Sequence, residues 1–207
     1  MNSNVAIQTI VFDLGGVLVD WNPKYVYKDD FQQTDEMNWF LAEVCNDKWN
    51  VTQDAGRTYA EGEAIKISEY PEYEEQIKLF NKNWHLMFSG PIAENVALFK
   101  QLRTNNLYKL YALTNWSAEK WPQALKLFPF FNQFDGAVVS GQEKTIKPFP
   151  DIYHILLNRY GLTAETTLFI DDKMENIEMA TAIGFQTIHF TGEQSLKQQL
   201  RKFSIRF

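Results

Sequence analysis

The stretch QTIVFDLGGVLVD (8–20) decides the reading of this chain. Within it, Thr9 to Phe12 are continuously apolar or β-branched rather than alternating, as strands buried on both faces of a parallel sheet are. Asp13 ends the run, and Asp-Leu-Gly-Gly supplies turn chemistry directly after it. Four further runs share this pattern: KLYALT (109–114), GAVVS (136–140), TTLFID (166–171) and QTIHF (186–190). Between them lie helical stretches, Ala93 to Arg103, Ala118 to Leu127, Pro150 to Tyr160, Met174 to Ile183 and Glu193 to Lys202. Strands alternating with helices at these lengths predict an α/β fold, a Rossmann-like doubly wound parallel sheet.

Residues 21–89 break the alternation. DEMNWFLAEVCNDKW, AEGEAIKISEY and YEEQIKLFNKNWHLMF carry apolar positions at helical spacing, and four of the six tryptophans fall here. The expected organisation is a catalytic core from residues 1–20 and 90–207, with an all-helical cap, 21–89, inserted after the first strand. Ser89-Gly90-Pro91 is the clearest turn signal at its far edge. A length of 207 residues suits one core with a smaller insertion, at roughly 150 residues per domain.

Composition narrows the function classes. With 45% hydrophobic and 22% charged residues, disordered, collagenous and low-complexity classes are excluded. A net charge of −6 repels phosphate polymers and anionic lipid, so neither nucleic acid nor a membrane surface is an expected partner. The single cysteine, Cys45, has no internal partner and suits a reducing compartment. MNSNVAIQTI carries no Lys or Arg and reads as neither leader nor anchor, and no run approaches the ~18 apolar residues of a membrane span. The expectation is a soluble cytoplasmic protein, monomer or homodimer.

Chemistry is concentrated where the strands end, the edge at which open α/β sheets bind ligands. The ends carry Asp13, then Thr114-Asn115, then Ser140 leading to Lys147-Pro148, then Asp171-Asp172. Carboxylates brought together repel unless a cation sits between them, and a hard cation with oxygen ligands such as Mg²⁺ answers that need. A threonine hydroxyl and a lysine ammonium beside it suit an anion. Together these residue types describe a phosphoryl-transfer site.

VFDLGGVLVD (11–20), LTNWS (113–117), IKPFPDIY (146–153) and FIDDKMENI (169–177) resemble, in order, the four motifs of the haloacid dehalogenase-like (HAD) hydrolase superfamily, in its capped subfamily I. The first motif, the Trp-rich insertion and the Asp-Asp form of the fourth motif look most like the bacterial branch that includes sugar-1-phosphate phosphatases. The resemblance implies a Mg²⁺-dependent phosphatase for a small phosphorylated metabolite, such as a sugar phosphate. It implies Asp13 as the nucleophile that becomes an aspartyl phosphate. It also implies a metal site of Asp13, the Gly15 carbonyl and Asp172, with Asp171 as a further ligand or supporting group. Thr114 and the Asn115 amide would bind phosphoryl oxygens, and Lys147 would neutralise charge. Asn176 would support Asp172 from the next helix, and Trp21 would line the entrance. Lys24, Trp49, Arg57 and Glu61 are the remaining cap candidates for substrate contact.

One position departs from the pattern. Many phosphatases of the superfamily carry a second Asp two residues after the nucleophile, as general acid and base; here that position is Gly15. The expectation is a leaving group that needs little protonation, or a substitute from the cap or solvent. Two other functions use the same residues: a 2-haloacid dehalogenase-type displacement by Asp13 without metal, and a non-catalytic phosphate-ligand-binding module. The three histidines, His85, His154 and His189, have no ligand spacing, and Cys45 reads as core.

Overall fold

A computed structural model describes residues 6–207. The reading of MNSNV as lacking a leader lies outside the described residues. Five parallel strands form the central sheet: β1 (Thr9–Phe12), β4 (Lys109–Thr114), β5 (Gly136–Val139), β6 (Thr167–Asp171) and β7 (Gln186–His189), in the order β5-β4-β1-β6-β7. β2 (Val19–Trp21) and β3 (Phe88–Pro91) form a separate antiparallel pair. All five expected strands are present, each within a residue or two of its sequence bounds.

Burial explains why the strands read as continuous apolar runs. Ile10 and Phe12 point to one side of the sheet and Val11 to the other, and all three are fully buried. The same alternation sends Leu110, Ala112, Leu168 and Ile170 to the first layer, and Tyr111, Leu113 and Phe169 to the second. The first layer is closed by the helices Ala93–Asn105 and Leu196–Lys202, where Phe99 meets Phe12 edge-on at 6.0 Å. The second is closed by Pro150–Tyr160 and Met174–Ile183, where Tyr153 meets Phe169 edge-on at 5.7 Å. Each such side chain contributes about 1.5–3 kcal/mol when fully buried, which is why apolar residues fill both faces.

Two helices begin later than the sequence pattern suggests. The expected stretch from Ala118 becomes a helix only at Trp121, with Pro122 in its first turn. The stretch from Glu193 becomes a helix at Leu196, because the Ser195 hydroxyl accepts from Gln198 N and fixes the start there.

Between β2 and β3 the regular structure is all helical. It contains Lys24–Tyr27, Thr34–Trp39 continuing into a wide turn at Phe40–Val44, then Asp47–Asp54, Tyr59–Glu69 and Glu74–Lys82. Tyr27, Phe40, Trp49, Ile77 and Phe80 are buried within this insertion. Trp49 stands edge-on to Phe80 at 5.0 Å and donates from Nε1 to Gly62 O at 3.0 Å. Thr58 and Glu61 close a capping box at the start of Tyr59–Glu69. Cys45 is buried, as expected.

No helix among the described residues is long and apolar enough to cross a membrane.

Candidate active site

The chain runs outward from β1 through β4 to β5, then returns to the other side of β1 for β6 and β7. The crevice beyond the C-terminal ends of β1, β4 and β6 is where such a reversal places a ligand. A cavity of about 200 Å³ lies there, lined by Asp13, Thr114, Asn115, Lys147, Asp172 and Asn176 together with side chains of the helical insertion. The four strand ends singled out in the sequence therefore meet.

Lys147 is the centre of the charge arrangement. Its Nζ lies 2.8 Å from Asp13 Oδ1 and 2.7 Å from Asp171 Oδ2, and donates to Leu113 O at 2.9 Å. The lysine is only 2% exposed. Burial opposes its charged form, but the carboxylates of Asp13 and Asp171 outweigh that and hold the ammonium above its ordinary value. The Asn115 side chain fixes the backbone that carries this lysine: Nδ2 donates to Lys147 O at 2.9 Å, and Lys147 N donates to Oδ1 at 2.8 Å. The Asn115 side chain is thus spent on positioning, which leaves only its backbone for a ligand. The Lys147-Pro148 peptide is cis.

Asp13 and the two aspartates after β6 offer oxygens within 4.8 Å of one another. Their surroundings separate their roles. Asp171 is fully buried, and both of its oxygens are occupied: Oδ1 accepts from Lys173 N and Asn176 Nδ2, Oδ2 from Lys147 and Asn176 Nδ2. Asp172 is partly buried and faces the cavity. Burial and the neighbouring Asp171 raise its carboxyl above the usual range. Burial likewise pushes Asp13 up to about 7, against the pull of Lys147 and with the help of both other aspartates. Two carboxyls raised in this way, Asp13 and Asp172, beside the buried Asp171 form a site that favours an added cation.

The loop after Asp13 is closed by its own backbone. Gly16 N donates to Val19 O and Val19 N to Leu14 O, which leaves the Gly15 carbonyl outside that bridge, and Gly15 lines the cavity. The donor set, carboxylates and a carbonyl, is the oxygen-only chemistry that Mg²⁺ selects. Asn176 Oδ1, buried and without a partner, adds an acceptor suited to a metal-bound water. The residues present fit Mg²⁺.

Gly16 carries a requirement that the sequence reading did not single out. Its φ is +70°, and a Cβ there would run into the Asp172 carboxylate, 2.7 Å from Cγ. Gly16→Ala is expected to push Asp172 aside and weaken Mg²⁺ binding by about tenfold or more, the scale seen when the support of a metal ligand is disturbed. Calorimetric titration of Mg²⁺ into the variant and the parent measures this; equal affinities would show that Asp172 does not hold the ion.

The insertion supplies the rest of the wall. Trp21, Trp84 and Phe88 line the cavity along with Trp116 from the loop after β4. Phe88 stacks on Trp116 at 5.7 Å, and Trp84 stands edge-on to the same indole. The helix Asp47–Asp54 presents Asp47, Asn50, Val51 and Asp54 to it, one stripe at helical spacing. Trp21 thus sits where the sequence placed it. Trp49 and Arg57 do not reach the cavity: Arg57 bonds Gln53 and Trp49 O inside the insertion, and Glu61 is spent on the capping box. Lys24 does not line it either. His189 lies behind the site, its Nε2 2.9 Å from Asp172 O.

The fold and the site are those of a hydrolase with an aspartate at the end of its first strand. Residues 7–184 match the haloacid dehalogenase-like hydrolase family, and the chain belongs to that family. It is 27% identical over 201 residues to the sesquiterpene phosphatase AstK of Aspergillus oryzae, covering 93% of this chain and 94% of that protein. It is 23% identical over 201 residues to a phosphorylated carbohydrates phosphatase of Thermotoga maritima, covering 88% and 84%. A HAD family enzyme of Bacteroides thetaiotaomicron, solved with magnesium and inorganic phosphate, shares the fold with a TM-score of 0.72 at 23% identity, over 95% of this chain and all of that one.

Proposed function

We propose that the protein is a Mg²⁺-dependent phosphatase that hydrolyses a small phosphate monoester, a sugar phosphate, through an aspartyl phosphate on Asp13. The observation that carries this reading is one carboxylate, Asp13, held 2.8 Å from a buried lysine and beside two further acids at the wall of the cavity. Asp13 points its free oxygen at phosphorus while Lys147 holds the other, so attack needs little reorganisation. Lys147 and the Thr114 hydroxyl offset charge on the transferring group. Asp13, Asp172 and the Gly15 carbonyl would hold Mg²⁺, which would screen the negative charges of nucleophile and phosphate. Asp171 keeps Lys147 charged and in place.

Cavity size favours a small leaving group. About 200 Å³ lies below the ~300–1,000 Å³ of pockets that hold drug-sized ligands, and suits a sugar better than a long isoprenoid chain. The aromatic wall of Trp21, Trp84, Phe88 and Trp116 offers a flat apolar face for a sugar ring. The same wall is the observation favouring a second reading, a phosphorylated terpenoid like the substrate class named for the Aspergillus relative.

A panel of sugar phosphates and prenyl phosphates, assayed with Mg²⁺ and with EDTA, tests both readings. Phosphate release is expected with Mg²⁺ and on sugar phosphates, falling at least about a hundredfold in EDTA, given the several kcal/mol a metal supplies to such charge. Release on prenyl phosphates alone would select the second substrate class. Halide release from 2-haloacids that survives EDTA would instead make the protein a dehalogenase. Binding of phosphate esters with no turnover would leave a ligand-binding module.

A further inference from the structure

A phosphatase without an acid two residues after its nucleophile needs another source of the proton that its leaving group takes. Gly15 supplies none; a Cβ built at that position would meet nothing within 4 Å, so no neighbouring side chain fills that space. Among the residues lining the cavity, Asp13 and Asp172 are committed to nucleophile and metal, and Lys147 is ion-paired to Asp13 and Asp171. No histidine and no glutamate lines it. Tyr59 does, but burial lifts its phenol well above the ordinary value, which makes it a poor proton donor to a leaving group. The remaining carboxylates are Asp47 and Asp54, both on the helix Asp47–Asp54. Asp47 is exposed at the first turn.

Asp54 is placed differently. It ends the helix, where carbonyl groups disfavour an adjacent negative charge. Its backbone is pinned to the core: the Ser140 hydroxyl accepts from Trp116 N at 2.9 Å and donates to Asp54 O at 2.6 Å. Position 54 is therefore fixed relative to the end of β5 and the loop after β4, the framework that also carries Thr114 and Lys147. Its side chain accepts a long bond, 3.4 Å from Asn50 Nδ2, and faces the backbone of Ser117.

We propose that Asp54, a side chain of the helical insertion, is the general acid and base of the reaction, replacing the carboxylate absent at Gly15. The assignment rests on the phosphatase reading above. In the first step the Asp13 carboxylate bonds to phosphorus and the phosphorus–oxygen bond to the leaving group breaks. The electron pair stays on the leaving oxygen, which takes the Asp54 proton and departs as alcohol. In the second step a water oxygen bonds to phosphorus and passes a proton to the Asp54 carboxylate. The bond from phosphorus to Asp13 breaks, and inorganic phosphate leaves with Asp13 ionised and Asp54 protonated, as they began. Burial pushes the Asp54 carboxyl up to about 7 against the pull of Lys173 and a Ser117 backbone hydrogen bond, with Asp13 adding to the rise. A group poised there gives and takes a proton near neutrality.

The test is leaving-group dependence in Asp54→Asn, which keeps shape and removes the proton. The readout is kcat/KM with Mg²⁺, which reports steps up to departure of the alcohol. On sugar or alkyl phosphates, whose alkoxides are poor leaving groups, the variant is expected to lose on the order of 10²–10⁴. On p-nitrophenyl phosphate, whose phenolate leaves unaided, it is expected to stay within about tenfold of the parent, because general-acid help matters little there. That retained rate also shows that the variant is folded. Equal losses on both substrates, or no loss on either, would overturn the assignment. A parent protein that turns over neither substrate would instead overturn the phosphatase reading, and the role of Asp54 with it.

Discussion

Asp13→Asn is expected to abolish phosphate release while leaving the protein folded. The amide occupies the same volume but cannot attack phosphorus, and no other lining carboxylate is held at 2.8 Å from Lys147 in the open cavity. Loss of a covalent nucleophile typically costs on the order of 10⁴-fold or more in kcat. The fold should tolerate the change, because Lys147 keeps its 2.7 Å pair with Asp171 and its bond to Leu113 O. Burial already disfavours the Asp13 charge, which sits at about 7, so an uncharged replacement carries little cost. Single-turnover trapping of phosphorylated protein gives the direct measurement: label on the parent and none on Asp13→Asn. Label on the variant would place the nucleophile elsewhere.

Lys147→Met is expected to have the largest effect on stability. It fills similar volume but leaves Asp13 and Asp171 facing each other without a counter-charge, in a place where Asp171 is fully buried. Removing one partner of a buried ion pair costs about 3–5 kcal/mol. Urea denaturation of the metal-free proteins measures the deficit. Its pH dependence follows from sign. Without the lysine, the folded-state pKa of Asp13 lies still further above its unfolded value, so the folded variant binds more protons than the unfolded chain. Stability of Lys147→Met should therefore rise as pH falls from mildly alkaline to mildly acidic, narrowing the gap to the parent. Adding Asp171→Asn to the variant should recover part of the loss, because it removes one of the stranded charges. A single variant as stable as the parent would mean that the buried triad contributes nothing net to the fold.

The parts legible in the sequence were those whose physics is local. Strands buried on both faces advertise themselves as unbroken apolar runs, and a carboxylate or threonine at the end of such a run is pointed at the ligand edge by topology alone. Asp13, Thr114 and Asp171-Asp172 could be placed at that edge in this way, whereas Lys147 reaches it from the loop beyond β5. Long-range pairing was not. Val19–Trp21 is three residues long and Phe88–Pro91 contains Gly90 and Pro91, so neither carries a strand signature by itself; they are strands because they pair. Asp171 and Asp172 are indistinguishable as letters, and only the donors around Asp171 show which of them is spent on Lys147. Asp54 was hidden because DKWNVTQD is mostly polar and reads as a solvated helix. Its significance comes from the core surface that the helix covers. The aromatic wall was hidden for the same reason, since Trp84, Phe88 and Trp116 come from separate segments and acquire meaning only as neighbours.

The β2–β3 ribbon brings the two chain crossings into the helical insertion side by side, with Val19 opposite Pro91 and Trp21 opposite Phe88. Everything between them is attached to the sheet as a cassette. A cassette of this kind can be exchanged between proteins, or grow and shrink over evolution, without altering the order or register of any core strand. If the insertion also brings the proton donor, such an exchange replaces the acid along with the substrate walls. Chimaeras that graft a foreign insertion onto this core then inherit their leaving-group preference from the donor of the graft.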